Sequence, residues 1–198
     1  MHVDWDALPR PQDDGESDHL FNSKVPSISL ASTDGGSVTL AIVPGNSVVY
    51  IYPRTGKPGE ENPPGWDMIP GTHSFLVQVT HRLGARGCSP HSCSFRDHAK
   101  ELADLGIGHI FGLSTQDTEY QREVVTRLHL PFPILSDEKL ELTNAMKLPK
   151  FELPDVGVLL KRMVLLIKEG TIVKVFYPVF PPDQSAQEVV DYLRQKGI

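Results

Sequence analysis

The sequence predicts an α/β fold, a sandwich of helices around a mixed β-sheet. Three observations carry that reading. Short β-branched and aromatic runs, Val48 to Tyr52, Ile107 to Leu113 and Phe132 to Leu135, read as buried strands and alternate with amphipathic, capped segments. Hairpin patterns lie at both ends of that alternation, and a last helix follows the second one. The chain has 198 residues, 39% hydrophobic and 22% charged, which suits one globular domain at about 100–200 residues per domain.

Residues 1–24 are rich in Asp and Pro and poor in apolar side chains, so they read as a mobile acidic tail, with Trp5 and Phe21 able to dock. The domain proper is expected over 25–198. Val25 to Leu30 alternates like a strand, Asp34-Gly35-Gly36 supplies a turn, and Ser37 to Leu40 completes the N-terminal hairpin. Val48 to Tyr52, ended by Pro53, is the first central strand. A long insertion follows at about 54–84. Its first part, Arg54 to Pro70, holds Pro58, Pro63, Pro64 and Pro70 with three glycines, a composition without regular structure. Phe75 to Val79 has a strand pattern, and Thr72 to Leu83 fits its surroundings least.

From Ser89 a helix is well specified. Ser89 is the expected N-cap and Pro90 the first helical residue, where a missing N–H costs nothing. Phe95, Ala99 and Leu102 fall on one face, and Gly106 is the expected terminator after Leu105. After the Ile107 strand, Thr118 to Gln121 reads as a capping box for a helix through Leu128. Phe132 to Leu135 is a short strand and Asp137 to Met146 a helix. Arg162 to Ile167 and Ile172 to Phe176 form a hairpin across Lys168-Glu169-Gly170, and Ser185 to Glu188 caps the last helix.

Charge and composition narrow the function. Lys and Arg total 19 against 25 Asp and Glu, a net charge of −6, so the clustered positive charge that tracks phosphates is not expected, and neither is nucleic acid as a partner. Met1 to Asp6 has neither a basic region nor an apolar core of a secretory signal, which points to a cytoplasmic protein. The most apolar stretch, Val158 to Ile167, is interrupted by Lys161-Arg162 and is too short for a membrane span.

The chemistry concentrates in Gly87-Cys88-Ser89-Pro90-His91-Ser92-Cys93, which holds both cysteines of the chain. Cys88 sits at or just before a helix N-terminus, where unpaired N–H groups and the macrodipole favour an anion. Arg86 is near in sequence and Gly87 permits close backbone approach. A thiol there is expected to be partly thiolate at neutral pH. A buried, inert cysteine is the ordinary alternative; the second cysteine five residues on argues for the reactive one. In an intact helix residues five apart are separated by about 8–9 Å, whereas a disulfide tolerates at most about 7 Å between Cα atoms. The two can bridge only if the first helical turn unwinds, which would make this turn a two-state redox element.

These residues resemble the Q-type (bacterioferritin-comigratory) peroxiredoxins. The resemblance rests on Gly87-Cys88-Ser89-x-x-Ser92-Cys93-Ser94-Phe95-Arg96-Asp97 and the upstream Tyr50-Ile51-Tyr52-Pro53. It continues through Phe111 to Ser114, Pro133 to Asp137 and Arg162 to Ile167, covering roughly Val25 to Leu193. It implies a thioredoxin-like three-layer sandwich and a thiol peroxidase acting on hydrogen peroxide and organic hydroperoxides. By its pattern Cys88 resembles the peroxidatic cysteine, which becomes a sulfenic acid, and Cys93 the resolving cysteine, which closes an intramolecular disulfide. Arg162 matches the arginine that holds thiolate and peroxide. No cofactor or metal is implied; the implied reductant is thioredoxin or glutaredoxin, and the implied state a monomer or weak dimer. The chain departs from the family where a Pro-x-x-x-Thr/Ser block should run directly into the peroxidatic cysteine. Ala85 and His81 occupy those places; Pro53 lies far upstream, and Thr55 or Ser89 is left to supply the hydroxyl.

Two other readings compete. Cys88, His91, Cys93 and His98 form a possible metal cluster, although His98 and His109 are not at a zinc-type spacing. A thioredoxin-fold redox sensor without turnover is the second. A phosphatase Cys-x5-Arg is absent, since Ser94 and Ala99 stand at the arginine positions.

Overall fold

The computed structural model describes Trp5, residues 10–61, Pro63 and residues 87–196. Arg86 and the expected strand at Phe75 to Val79, with the rest of the 64–86 stretch, lie outside the described residues. Among the described residues, seven strands form one mixed sheet in the order β2-β1-β5-β4-β3-β8-β9. They are β1 (Ser29–Ser32), β2 (Ser37–Thr39), β3 (Asn46–Ile51), β4 (Ile107–Ser114), β5 (Ile134–Ser136), β8 (Met163–Lys168) and β9 (Thr171–Phe176). β3, β4 and β5 run parallel, while β8 lies antiparallel to β3 and β9 to β8. The expected N-terminal hairpin is β1–β2, with Leu30 opposite Val38. Helices α1 (Cys88–Asp97), α2 (Ala99–Asp104), α3 (Thr118–Leu128), α4 (Glu141–Met146) and α5 (Ser185–Lys196) complete the frame.

Strand alternation separates two cores. Val48, Tyr50 and Tyr52 face one side, with Phe95, Leu102, Val124, Val189 and Leu193 from α1, α2, α3 and α5. Val49 and Ile51 face the other, with Leu142 and Met146 of α4 and with Leu20 and Leu40. Because β3, β4 and β5 succeed one another in the same direction, right-handed crossovers put α1 and α3 on one face. The result is the expected three-layer sandwich, with α1 starting at the C-terminal end of the central strand β3, where parallel sheets carry their sites.

Local differences from the sequence reading have physical causes. Helix α1 starts at Cys88, with Gly87 in the left-handed region (φ 108°) before it, so Ser89 is inside the helix and caps nothing. Pro90 is therefore its third residue, still among the N–H positions without an intrahelical partner. The long helix breaks at His98, which separates α1 from α2 and turns its ring back to Ser94 O at 2.8 Å. Asp117, not Thr118, caps α3 by accepting from Tyr120 N at 2.7 Å. The expected Asp137 helix starts only at Glu141, because the buried Asp137 carboxylate stays outside and accepts from Leu142 N at 3.0 Å and Thr143 N at 2.8 Å. A small hairpin, β6 (Lys150–Leu153) with β7 (Gly157–Leu160), was not anticipated; it packs Phe151 and Leu153 on Leu159.

In the segment expected to be a tail, residues 10–16 are exposed, while Trp5, Ser17 and Leu20 pack on the domain. Leu20 and Ser17 are buried, Lys161 Nζ holds Asp14 and Glu16 at 2.7 and 2.8 Å, and Tyr177 donates to Asp14 at 2.9 Å. Trp5 is buried as well, while Phe21 is 56% exposed.

Candidate active site

Cys88 is the first residue of α1 and is buried. The first intrahelical bond, His91 N to Gly87 O at 2.8 Å, fixes the turn that carries it. Arg162 leaves β7 just before β8 begins, and the antiparallel pairing of β8 with β3 brings it beside the start of α1. Its guanidinium donates from Nη2 to Cys88 Sγ at 3.3 Å. All three sequence-derived site residues are thus on the same side of the sheet, with Cys93 half-buried further along α1.

The other half of the guanidinium fork identifies a residue that the sequence reading had seen only as a possible metal ligand. Arg162 Nη1 lies 3.1 Å from His91 Nδ1. An arginine only donates, so Nδ1 must be an unprotonated acceptor. Burial, with the nearby Arg162 charge adding to it, holds His91 well below the usual histidine range, so the ring is neutral and carries its one proton on Nε2. That N–H donates to Ser185 Oγ, 3.1 Å away at the start of α5. Tyr50 and Phe95 stack on each other, and the His91 ring packs beside the pair at centroid distances of 5.2 and 5.5 Å. His91 therefore orients the arginine without neutralising it. Burial pushes the Tyr50 and Tyr52 phenols up, so both stay protonated beneath the site. Nothing in the chain outside the fold pairs His91 with Arg162, which is why spacing alone did not reveal it.

The hydroxyl candidates separate. Thr55 is buried and locked to Gln116: its N–H and Oγ1 both donate to Gln116 Oε1, at 2.8 and 3.1 Å, and Gln116 Nε2 returns a bond to Thr55 O. Ser89 is half-buried in the first turn beside Cys88. For the metal reading, no group of three or more His, Cys, Asp or Glu is placed to hold an ion among the described residues. His91 faces Arg162 and Ser185, and His98 faces Ser94 O and Gln187.

A neutral buried histidine has a pH signature. Its folded-state affinity for protons lies below the ordinary value of 6.5, so below that pH the unfolded chain binds more protons than the folded one. Stability is therefore present above pH 6.5 and is lost as the pH falls, at up to about 1.4 kcal/mol per pH unit from this single group. His91→Gln keeps one acceptor and one donor but cannot titrate. Urea midpoints at pH 7 and pH 5 should differ less in this variant than in the parent; equal differences would mean that His91 is not held neutral.

A family model described as Redoxin matches residues 21–193. Among curated relatives, peroxiredoxin Q, chloroplastic, of Gentiana triflora is 24% identical over 172 residues, 85% of this chain and 64% of the relative. That of Oryza sativa subsp. japonica is 25% identical over 175 residues, 87% of this chain and 65% of the relative. The chain thus spans slightly less than two thirds of these relatives' length. Peroxidoxin BcpB from Mycobacterium tuberculosis has a similar fold, with a TM-score of 0.65 at 22% identity over 89% of this chain and 97% of that one. Peroxiredoxin Q of Xanthomonas campestris gives 0.64 at 18% identity, over 91% and 99%. A structural study of the Xanthomonas campestris bacterioferritin comigratory protein, concerned with alkyl peroxide reduction, gives 0.61 at 19% identity, over 86% and 92%.

Proposed function

The chain belongs to the Redoxin family, and from that premise we propose that it is a thiol-dependent peroxidase of the Q-type peroxiredoxin kind, reducing hydrogen peroxide and organic hydroperoxides. The observation that carries the reading is Arg162 Nη2 at 3.3 Å from the Sγ of Cys88, the residue that opens α1. A sulfur anion needs a fixed cation and helix N–H groups around it, and the oxygen leaving a peroxide develops negative charge at the same place. Cys88 attacks one peroxide oxygen and the O–O bond breaks. The sulfur becomes a sulfenic acid, and the other oxygen leaves with a proton as water or alcohol. The Cys93 thiol then attacks Cys88 Sγ, water departs, and an intramolecular disulfide remains. A thioredoxin or glutaredoxin dithiol returns the protein to its starting state by thiol–disulfide exchange. This cycle requires a compartment that supplies such a reductant, for which the cytoplasm is our proposal; the two plant relatives named above are described as chloroplastic.

Peroxide-dependent NADPH oxidation through thioredoxin and thioredoxin reductase tests the proposal. Sustained turnover at catalytic amounts of protein is the expected result. A single stoichiometric oxidation without turnover, with either thioredoxin or glutaredoxin supplied, would favour the redox-sensor reading instead.

A further inference from the structure

We propose that Trp5 is a strap on the first turn of α1 that sets how fast the oxidised Cys88 is resolved by Cys93. This rests on the peroxidase reading and adds to it a residue outside the reacting groups. The indole is 8% exposed although Asp4 and Asp6 flank it in sequence. It meets Phe180 edge to face, with centroids 6.0 Å apart at 85°, and its Nε1–H donates to Asp183 Oδ2 at 2.7 Å. Asp183 belongs to the 3-10 turn Pro182–Gln184 that leads into α5. The seat beneath the indole is Gly87. A Cβ at that position would stand 3.0 Å from Trp5 Cη2 and would collide with the Pro182 ring, and the backbone there has φ 108°. Trp5 and Pro182 therefore close directly on the backbone of the residue before Cys88, where no side chain fits.

This is the backbone that has to move. Cys88 and Cys93 are five residues apart in one helix, about 8–9 Å by helical geometry, and their bond requires Cα atoms within about 7 Å. Unwinding the first turn carries Gly87 away from Pro182 and the indole. The strap thus stabilises the dithiol and sulfenic forms relative to the opened form, and part of an aromatic side chain's burial is lost on the way to the disulfide. Two fates compete for Cys88 sulfenic acid. With the Cys93 thiol it gives the disulfide and water; with a second peroxide it gives the sulfinic acid and water or alcohol. A tighter strap favours the second.

The test follows one equivalent of hydrogen peroxide by rapid quench and intact mass. Trp5→Ala should form the sulfenic acid at the parent's rate but the disulfide about tenfold faster. With excess peroxide it should accumulate less sulfinic acid. Asp183→Ala removes only the indole's hydrogen-bond partner and should accelerate the same step by less, which covers the case of an unstable Trp5→Ala. The chain has two tryptophans, so a Trp66→Phe background isolates Trp5 emission. That emission should move to longer wavelength on disulfide formation and stay in place in Cys93→Ser. An unchanged or slower resolution step in both variants, or emission indifferent to oxidation, overturns the strap. Absence of any Cys88–Cys93 disulfide in the parent overturns the peroxidase reading beneath it, which separates the two failures.

Discussion

Cys88→Ser should consume no peroxide, while Cys93→Ser should consume one equivalent and stop. The asymmetry follows from where the two sulfurs lie in one helix. Cys88 is at the first position of α1, with Arg162 Nη2 on its sulfur. Cys93 is a turn and a half further along and is half-buried, away from the helix terminus that favours an anion. A serine hydroxyl at 88 is a far weaker nucleophile than a thiolate at neutral pH, so the loss should reach the background of the uncatalysed reaction. Cys93→Ser leaves the first step intact and removes the group that discharges its product. Its single turnover should leave a sulfenic acid that dimedone traps at residue 88. Equal peroxide consumption by Cys88→Ser and the parent would remove Cys88 from the role assigned to it.

Much of this could be read from the chain, and the rest could not for identifiable reasons. The strands were legible because Val48 to Tyr52 and Met163 to Ile167 are short apolar runs that only a doubly covered sheet can bury. The hairpin and the order of helices followed from turn and cap chemistry, although Asp117 and Gly87 took terminal positions expected of Thr118 and Ser89. Such shifts of one or two residues arise because element ends are set by which of several neighbouring positions takes the terminal conformation. The β6–β7 hairpin was missed: its strands are only four residues each. Cys88 and Cys93 are singled out by spacing and resemblance, and Arg162 by resemblance alone. His91 and Ser185 were not, since 94 residues separate them and only the docking of α5 on α1 joins them. Trp5 was anticipated as a docking residue, but its seat on Gly87 depends on a backbone conformation that no local pattern announces.

Arg162→Met should slow peroxide reduction by roughly 10²–10³, the usual loss when one fixed group opposite developing charge is removed. Methionine keeps most of the buried stem, so the fold has little reason to change. What disappears is a two-pronged contact: Nη2 to Cys88 Sγ at 3.3 Å and Nη1 to His91 Nδ1 at 3.1 Å. Because His91 is neutral and takes a bond from one prong, the other is held on the sulfur with its charge undiminished. Arg162→Lys should restore only a part of the rate, since one ammonium keeps the charge but cannot span both partners in the same geometry. The measurement is the second-order rate of sulfenic acid formation for the three proteins at pH 7, with thermal midpoints as a control for folding. Arg96 is poorly placed to substitute, being held by Asp97 Oδ1 at 2.8 Å and Leu128 O at 2.8 Å. If Arg162→Met reacted at the parent's rate, the charge opposite the leaving oxygen would have to come from another residue, and the proximity of Arg162 to Cys88 would be a packing contact alone.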